Sequence, residues 1–272
     1  ALEDPLADAW TTYAWKEGVP SDWISSVAVA PDGVVWVGTL REGTASFDGE
    51  SWTAYASKDG LVSNDVRAIA FAADGAVWFG TCALWGPASA EPPPCHGVSR
   101  LEGAGTPGEA WTTYSEEDGL ANNRVNAIAV APDGGVWFGT GPMDYYPWAE
   151  SSGAGGVSRF DGDTWTTYTA DDGLADNWIN DIAVAADGVV WFATPAGLSR
   201  FDGAGWHTYT TGDGLASDQV TSVAIAAGGV VCAGTDRGVS CHRDATWVTY
   251  ALDGPASNLV PSIAVASDGT VW

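Results

Sequence analysis

The pair Trp-x-x-Tyr occurs six times in this chain, at Trp10/Tyr13, Trp52/Tyr55, Trp111/Tyr114, Trp165/Tyr168, Trp206/Tyr209 and Trp247/Tyr250. Each pair leads a stretch of similar pattern, and a fixed period of this kind dictates a repeat architecture in which units bury one another's faces. The spacings between the leading tryptophans are 42, 59, 54, 41 and 41 residues, so the unit is near 41 residues and two copies carry insertions, at 82–96 and 141–155. Positions that recur are scaffold. Departures from the pattern are the candidates for function.

The fourth copy shows the anatomy of a unit. After Trp165-Thr-Thr-Tyr168 come Asp-Asp-Gly-Leu, then Trp178-Ile-Asn-Asp-Ile-Ala-Val-Ala, Ala-Asp-Gly, Val-Val-Trp191-Phe-Ala-Thr, Pro-Ala-Gly, Leu-Ser-Arg200-Phe and Asp-Gly. Short β-branched and aromatic runs between Gly-rich turns read as four strands, with no helical period. Four-stranded units at this spacing predict an all-β fold, a six-bladed β-propeller of four-stranded antiparallel blades in one domain, residues 1–272. A sandwich has no reason to repeat its sequence, and a solenoid has shorter rungs. The Ile-Ala-Val-Ala strand would be innermost (a), followed by b (Val-Trp-Phe-Gly-Thr), c (Gly-Val-Ser-Arg-Phe) and d (Trp-Thr-Thr-Tyr). Loops d–a and b–c then share one face. The 26 residues from Trp247 onward and the nine before Trp10 fall about six short of a unit, which predicts a ring closed by N- and C-terminal segments in the same blade. Pro5 suits a paired strand poorly. A piece of a longer propeller array is the rival expectation, because the sequence ends in mid-strand at Trp272.

The string Asp-Gly-Leu-x-x-Asn/Asp-x-Val-x-x-Ile-Ala-Val-Ala-x-Asp-Gly-x-Val-Trp-Phe-Gly-Thr-x-x-Gly-Val-Ser-Arg-Phe-Asp-Gly resembles the two-component-regulator propeller repeat family over nearly the whole chain. The resemblance implies an extracytoplasmic, ligand-sensing segment, recognition rather than catalysis, and a signalling domain elsewhere in a longer parent chain.

Charge excludes several partners. Thirty-five carboxylates against ten basic residues leave −25, and Lys16 and Lys58 are the only lysines. Phosphate backbones and anionic membranes need clustered basic residues, so nucleic acid is not expected. Solubility, high-salt adaptation and attraction of cationic partners are each compatible with such a surface. No apolar run reaches the roughly 18 to 20 residues of a membrane helix, so membrane insertion of this segment is not expected. The start at Ala1 fits a mature secreted chain and a trimmed one equally.

Four cysteines fall into two pairs. Cys82 and Cys95 bracket the second unit's insertion, where a bridge would clamp its base. Cys232 stands where other units place the b-strand tryptophan, and Cys241 where Arg100, Arg159 and Arg200 stand in strand c. Their joint replacement suggests cross-strand neighbours, Trp over Arg in one case and a disulfide in the other. That register needs Thr235 opposite Gly238, and a glycine bulge at Asp236-Arg237-Gly238 would instead part the thiols. Two bridges imply an oxidising compartment, periplasmic or secreted. Zinc is less favoured because no Cys-x-x-Cys is present.

Catalytic residue types are sparse. His96, His207 and His242 fall at the clamp, in strand d and beside Cys241, none of them near the expected channel mouth. Propeller lyases of the streptogramin type share the fold but rely on a histidine near the central face. Asp32-Gly33, Asp74-Gly75, Asp133-Gly134, Asp187-Gly188 and Asp268-Gly269 recur at the a–b turn and read as turn chemistry rather than calcium ligands. No cofactor is expected.

Subtracting scaffold aromatics isolates Trp15, Trp23, Trp85, Trp148 and Trp178, with Tyr145, Tyr146 and Met143 nearby in sequence. The position before each inner strand reads Trp23, Asp65, Arg124, Trp178, Gln219 and Leu259, variable between near-constant neighbours. Exposed tryptophan is uncommon in a surface without a partner. The expected site is therefore the d–a/b–c loop face, with Trp23, Asp65, Arg124, Trp178, Gln219, Trp15, Trp85, Tyr145, Tyr146 and Trp148 binding a small or oligomeric ligand such as a carbohydrate. The alternatives are a protein–protein platform built on the aromatic insertions and, third, a metal-assisted lyase or hydrolase around Asp65 and Arg124.

Overall fold

The structure, a computed structural model, describes residues 11–14, 17–82, 95–141, 155–226, 228–243, 246–251, 258–266 and 269–272. Their strands form five four-stranded antiparallel sheets, each a meander in which neighbours in sequence pair in space. The first comprises strands a to d at Ile24–Val29, Val35–Thr39, Thr44–Phe47 and Trp52–Tyr55. The others repeat that order across 66–114, 125–168, 181–209 and 220–250. Successive a strands contact one another, so they are innermost and the sheets radiate from them as blades.

Where six blades were expected, the described residues hold five four-stranded sheets. At the C-terminal end a single bridge joins Val265 to Val271, and Ala264 and Trp272 exchange both backbone hydrogen bonds. That is the Ala28–Trp36, Ala70–Trp78 and Ala183–Trp191 register of the complete blades, so this is an a–b hairpin, and its Val260 N–H donates to Thr235 of the fifth blade. At the other end, Tyr13 packs on Phe47 and Trp52 as Tyr114 packs on Phe160 and Trp165. No strand pairing links the two ends among the described residues.

The aromatic period explains how blades adhere. In each of the first four blades the d-strand tyrosine stacks on its own b-strand tryptophan and meets the d-strand tryptophan of the next blade. Trp36–Tyr55 at 5.5 Å and Tyr55–Trp111 at 5.9 Å are one instance, Trp137–Tyr168 at 5.8 Å and Tyr168–Trp206 at 5.6 Å another. Such pairs contribute about 0.5–1.5 kcal/mol beyond their buried area. The Trp-x-x-Tyr signature is thus an inter-blade joint.

Glycine in the b strand serves the same joint. A Cβ on Gly80 would lie 2.8 Å from Val125 Cγ1, and one on Gly38 as close to Val66 Cγ1, so in these blades glycine sets how near the next inner strand comes.

Turn chemistry accounts for the repeated acids. Asp32, Asp74, Asp133 and Asp187 each accept, through Oδ1, the N–H two residues on, with Gly33 beside them at φ +91°. In the d–a connection, Asp59, Asp118, Asp172 and Asp213 accept the N–H three residues back, and Asn64, Asn123, Asn177 and Asp218 the one seven back.

Both expected disulfides are present, Cys82–Cys95 with Cα atoms 4.5 Å apart and Cys232–Cys241 at 4.0 Å. Thr235 lies opposite Gly238, the register the second bridge requires. In the sibling blades Arg100 lies over Trp78 at 5.7 Å and Arg159 over Trp137 at 5.9 Å. The cross-strand substitution of Cys–Cys for Trp–Arg is therefore geometric fact.

Candidate functional site

Five residues before the inner strands share one backbone setting. The N–H groups of Trp23, Asp65, Arg124, Trp178 and Gln219 each donate to a side chain two residues earlier, Ser21, Ser63, Asn122, Asp176 and Ser217, at 2.8–3.4 Å. These short turns hold the chain at the same angle in every blade. The carbonyls of Trp23, Asp65, Arg124 and Gln219 accept from the first N–H of their own b–c loops, Leu40, Cys82, Gly141 and Asp236. Loops d–a and b–c therefore do meet on one face, with this position between them.

On that fixed backbone the side chains differ in exposure. Trp23 is 61% exposed and Leu259 45%, Gln219 is exposed, Arg124 and Trp178 are half-buried, and Asp65 is buried. Trp178 packs closely on Gly141 of the third blade, where a Cβ on Gly141 would meet its Cα at 3.0 Å and its Cδ1 at 3.1 Å. The Cys82–Cys95 bridge closes the base of the second blade's insertion beside Asp65. His96, exposed next to that bridge, is on this loop face. His207 and His242 pack instead around Tyr209 on the outer strands of blades four and five. Trp15, Trp85, Met143, Tyr145, Tyr146 and Trp148 lie outside the described residues. Among the described residues no three His, Cys, Asp or Glu side chains gather as a metal site.

A second ring escaped the sequence reading. Two residues further along each inner strand stand Ser25, Arg67, Asn126, Asn180 and Thr221. Four of them donate to a carbonyl of the next blade, Ser25 to Val66, Asn126 to Ile179 at 3.0 Å, Asn180 to Val220 at 2.7 Å and Thr221 to Val260. Arg67 donates to Cys82 O at 3.2 Å. A polar residue recurring at one fixed place in all five inner strands was the available signal.

Next to this ring is Asp181, whose Oδ2 accepts from Val223 N–H of the following blade at 2.9 Å and whose Oδ1 accepts from Ile182 N–H. Burial between the inner strands pushes its carboxyl up to about 6, and the two backbone donors offset only part of that. In the unfolded chain the group titrates near 3.9. Its ionisation therefore costs the fold nothing well below pH 4 and the full penalty above pH 6. Asp181→Asn retains one acceptor and cannot ionise, so its melting temperature relative to wild type is expected to rise between pH 4 and pH 8, by an amount equivalent to ~1–2 kcal/mol. A difference independent of pH across that window would refute the assignment.

Four segments, 18–41, 60–83, 119–141 and 173–196, match the two-component regulator propeller family model. No curated protein matches the sequence. Among solved structures, the extracellular domain assigned to a hybrid two component system of B. thetaiotaomicron superposes with a TM-score of 0.75 at 20% identity, over 96% of this chain and 33% of that one. The chain thus spans about a third of that domain's length. Virginiamycin B lyase from Staphylococcus aureus aligns with a TM-score of 0.64 at 14% identity, over 92% of this chain and 76% of the lyase. A gluconolactonase from Xanthomonas campestris aligns with a TM-score of 0.55 at 18% identity, over 79% and 70% of the respective chains. The shared fold thus serves sensor domains and enzymes alike.

Proposed function

Because the chain carries two-component regulator propeller repeats, we propose that it is a recognition propeller of the sensor type, without catalytic activity, which binds a small or oligomeric ligand at the loop face. The observation that carries this reading is the repeated turn before each inner strand. One backbone hydrogen bond recurs at Trp23, Asp65, Arg124, Trp178 and Gln219; Asp65 is buried, and in this reading the indole, guanidinium and amide groups of the others suit a carbohydrate. In this reading the protein works outside the cytoplasm, in keeping with its two disulfides. No helix among the described residues is long and apolar enough to cross a membrane.

The same reading takes the ring as six-bladed. Tyr13 occupies the joint of a d-strand tyrosine preceding the first blade, the a–b hairpin at 264–272 follows the fifth, and apolar surface faces outward at both ends, with Val27 and Val29 each 63% exposed and Trp272 79% exposed. One shared blade would cover both surfaces.

Tryptophan fluorescence titrated with a panel of soluble oligosaccharides and peptides tests the site. An oligosaccharide is expected to quench emission, and both Trp178→Ala and Arg124→Ala are expected to weaken binding at least about tenfold. A response that survives the two substitutions unchanged would remove the mouth as the binding site. Peptides alone binding, with the aromatic insertions required, would favour the platform alternative.

A further inference from the structure

Comparing the blades on the opposite face, at the a–b turns, shows a place built for a cation and missing one. In blades two and three the b-strand tryptophan, the c-strand arginine and the a–b turn aspartate form a triad. Arg100 lies over Trp78 and donates to Asp74 Oδ2 at 2.5 Å, and Arg159 lies over Trp137 and donates to Asp133 Oδ2 at 2.6 Å. Blade five drops all three members together, with Cys232, Cys241 and Gly228 in their places. Blade one does neither. It keeps Trp36 and Asp32, but Ser46 lies opposite Trp36 where the arginine belongs.

The truncation leaves a groove of about 740 Å³ between blades one and two, lined by Trp36, Ser46, Tyr55, Asp32 and Asp48. Asp32 uses Oδ1 for the turn, accepting Val34 N–H at 3.1 Å. Its Oδ2, the atom that grips the guanidinium in the sibling blades, has no partner among the described residues. Asp48 adds a second carboxylate, held in place by the N–H groups of Glu50 and Ser51 at 2.8 Å. The sibling blades thus display the occupant this geometry accepts, a guanidinium against an indole with a carboxylate beyond it. A chain of charge −25 also draws cations toward it.

We propose that this groove binds the arginine side chain of a peptide, with Asp32 and Asp48 taking the guanidinium that Ser46 does not supply. The site is on the face opposite the loop mouth and stands or falls independently of the ligand bound there. Its planar fork distinguishes guanidinium from ammonium, so lysine is a poor substitute.

The test titrates the protein with acetyl-Gly-Arg-Gly-amide and its lysine counterpart at low ionic strength, by calorimetry. Wild type is expected to favour the arginine peptide. Ser46→Arg fills the groove from within and is expected to weaken that peptide at least about tenfold while changing the net charge by only one. Asp32→Asn is expected to weaken it comparably, and decides the matter if Ser46→Arg does not fold. Equal affinity in wild type and both variants, or no preference for arginine over lysine, would overturn the proposal.

Discussion

Replacing Gly139 with valine is expected to cost about 3 kcal/mol or more, read as a fall in the denaturant midpoint without a change in slope. The reason is contact between blades. A Cβ on Gly139 would stand 2.9 Å from Ile179 Cβ and 3.1 Å from Ile182 Cδ1, and Ile179 is itself fully buried. The β-branched side chain adds two methyl groups to a place with no room for one, and the neighbouring inner strand cannot retreat without breaking the Ile179 N–H bond to Thr140 O, 2.9 Å long. Blade four supplies a built-in comparison, because Ala193 occupies the same position there and is fully buried against a neighbouring valine, Val220. Ala193→Gly should therefore cost only about 0.5–1 kcal/mol, through backbone entropy and lost contact. A Gly139→Val midpoint equal to that of wild type would mean that the blades are not packed as described.

Removing the second disulfide is the next largest expected effect. The Cys232–Cys241 bridge closes a loop of sequence separation 9, for which the chain-entropy argument gives about 2–3 kcal/mol. Cys232 is fully buried in strand b, so Cys232→Ser/Cys241→Ser also places a hydroxyl among the apolar side chains between blade five and the C-terminal residues Val260, Val271 and Trp272. The double variant should unfold at a lower denaturant concentration than wild type by that margin. Adding a reductant should lower the wild-type midpoint by more than that of the variant, in which Cys82–Cys95 is the remaining bridge. A variant as stable as wild type under oxidising conditions would show that the hairpin needs no bridge.

Much of the chain could be read before any coordinates. The four-stranded unit, the Asp-Gly turns at Asp32, Asp74, Asp133 and Asp187, the two disulfides and the arginine over tryptophan in blades two and three all follow from local rules. In each, a residue's role is set by neighbours two to ten positions away or by the strand it pairs with. Repetition then averages out single-copy accidents. Repeat comparison also pointed to the loop face, and the shared turns at Trp23, Asp65, Arg124, Trp178 and Gln219 set those residues there. Whether they bind is a question for the titration above.

What stayed hidden depended on contacts between blades. The ring formed by Ser25, Asn126, Asn180 and Thr221 joins residues 39 to 53 positions from their acceptors, and nothing in one unit announces the partner. Asp181 reads as a polar drift in an apolar strand until the N–H of Val223 is seen to point at it. The empty place beside Trp36 needed the strand register, since only alignment with Arg100 and Arg159 shows what Ser46 fails to provide. The sequence by itself determined the all-β repeat, its turns and its cysteine pairing, because alternation and turn geometry act within a hairpin. The tertiary structure alone decided which polar groups tie one blade to the next and where the Trp-x-x-Tyr pairs meet, because those are set by the approach of inner strands that only the assembled blades bring together.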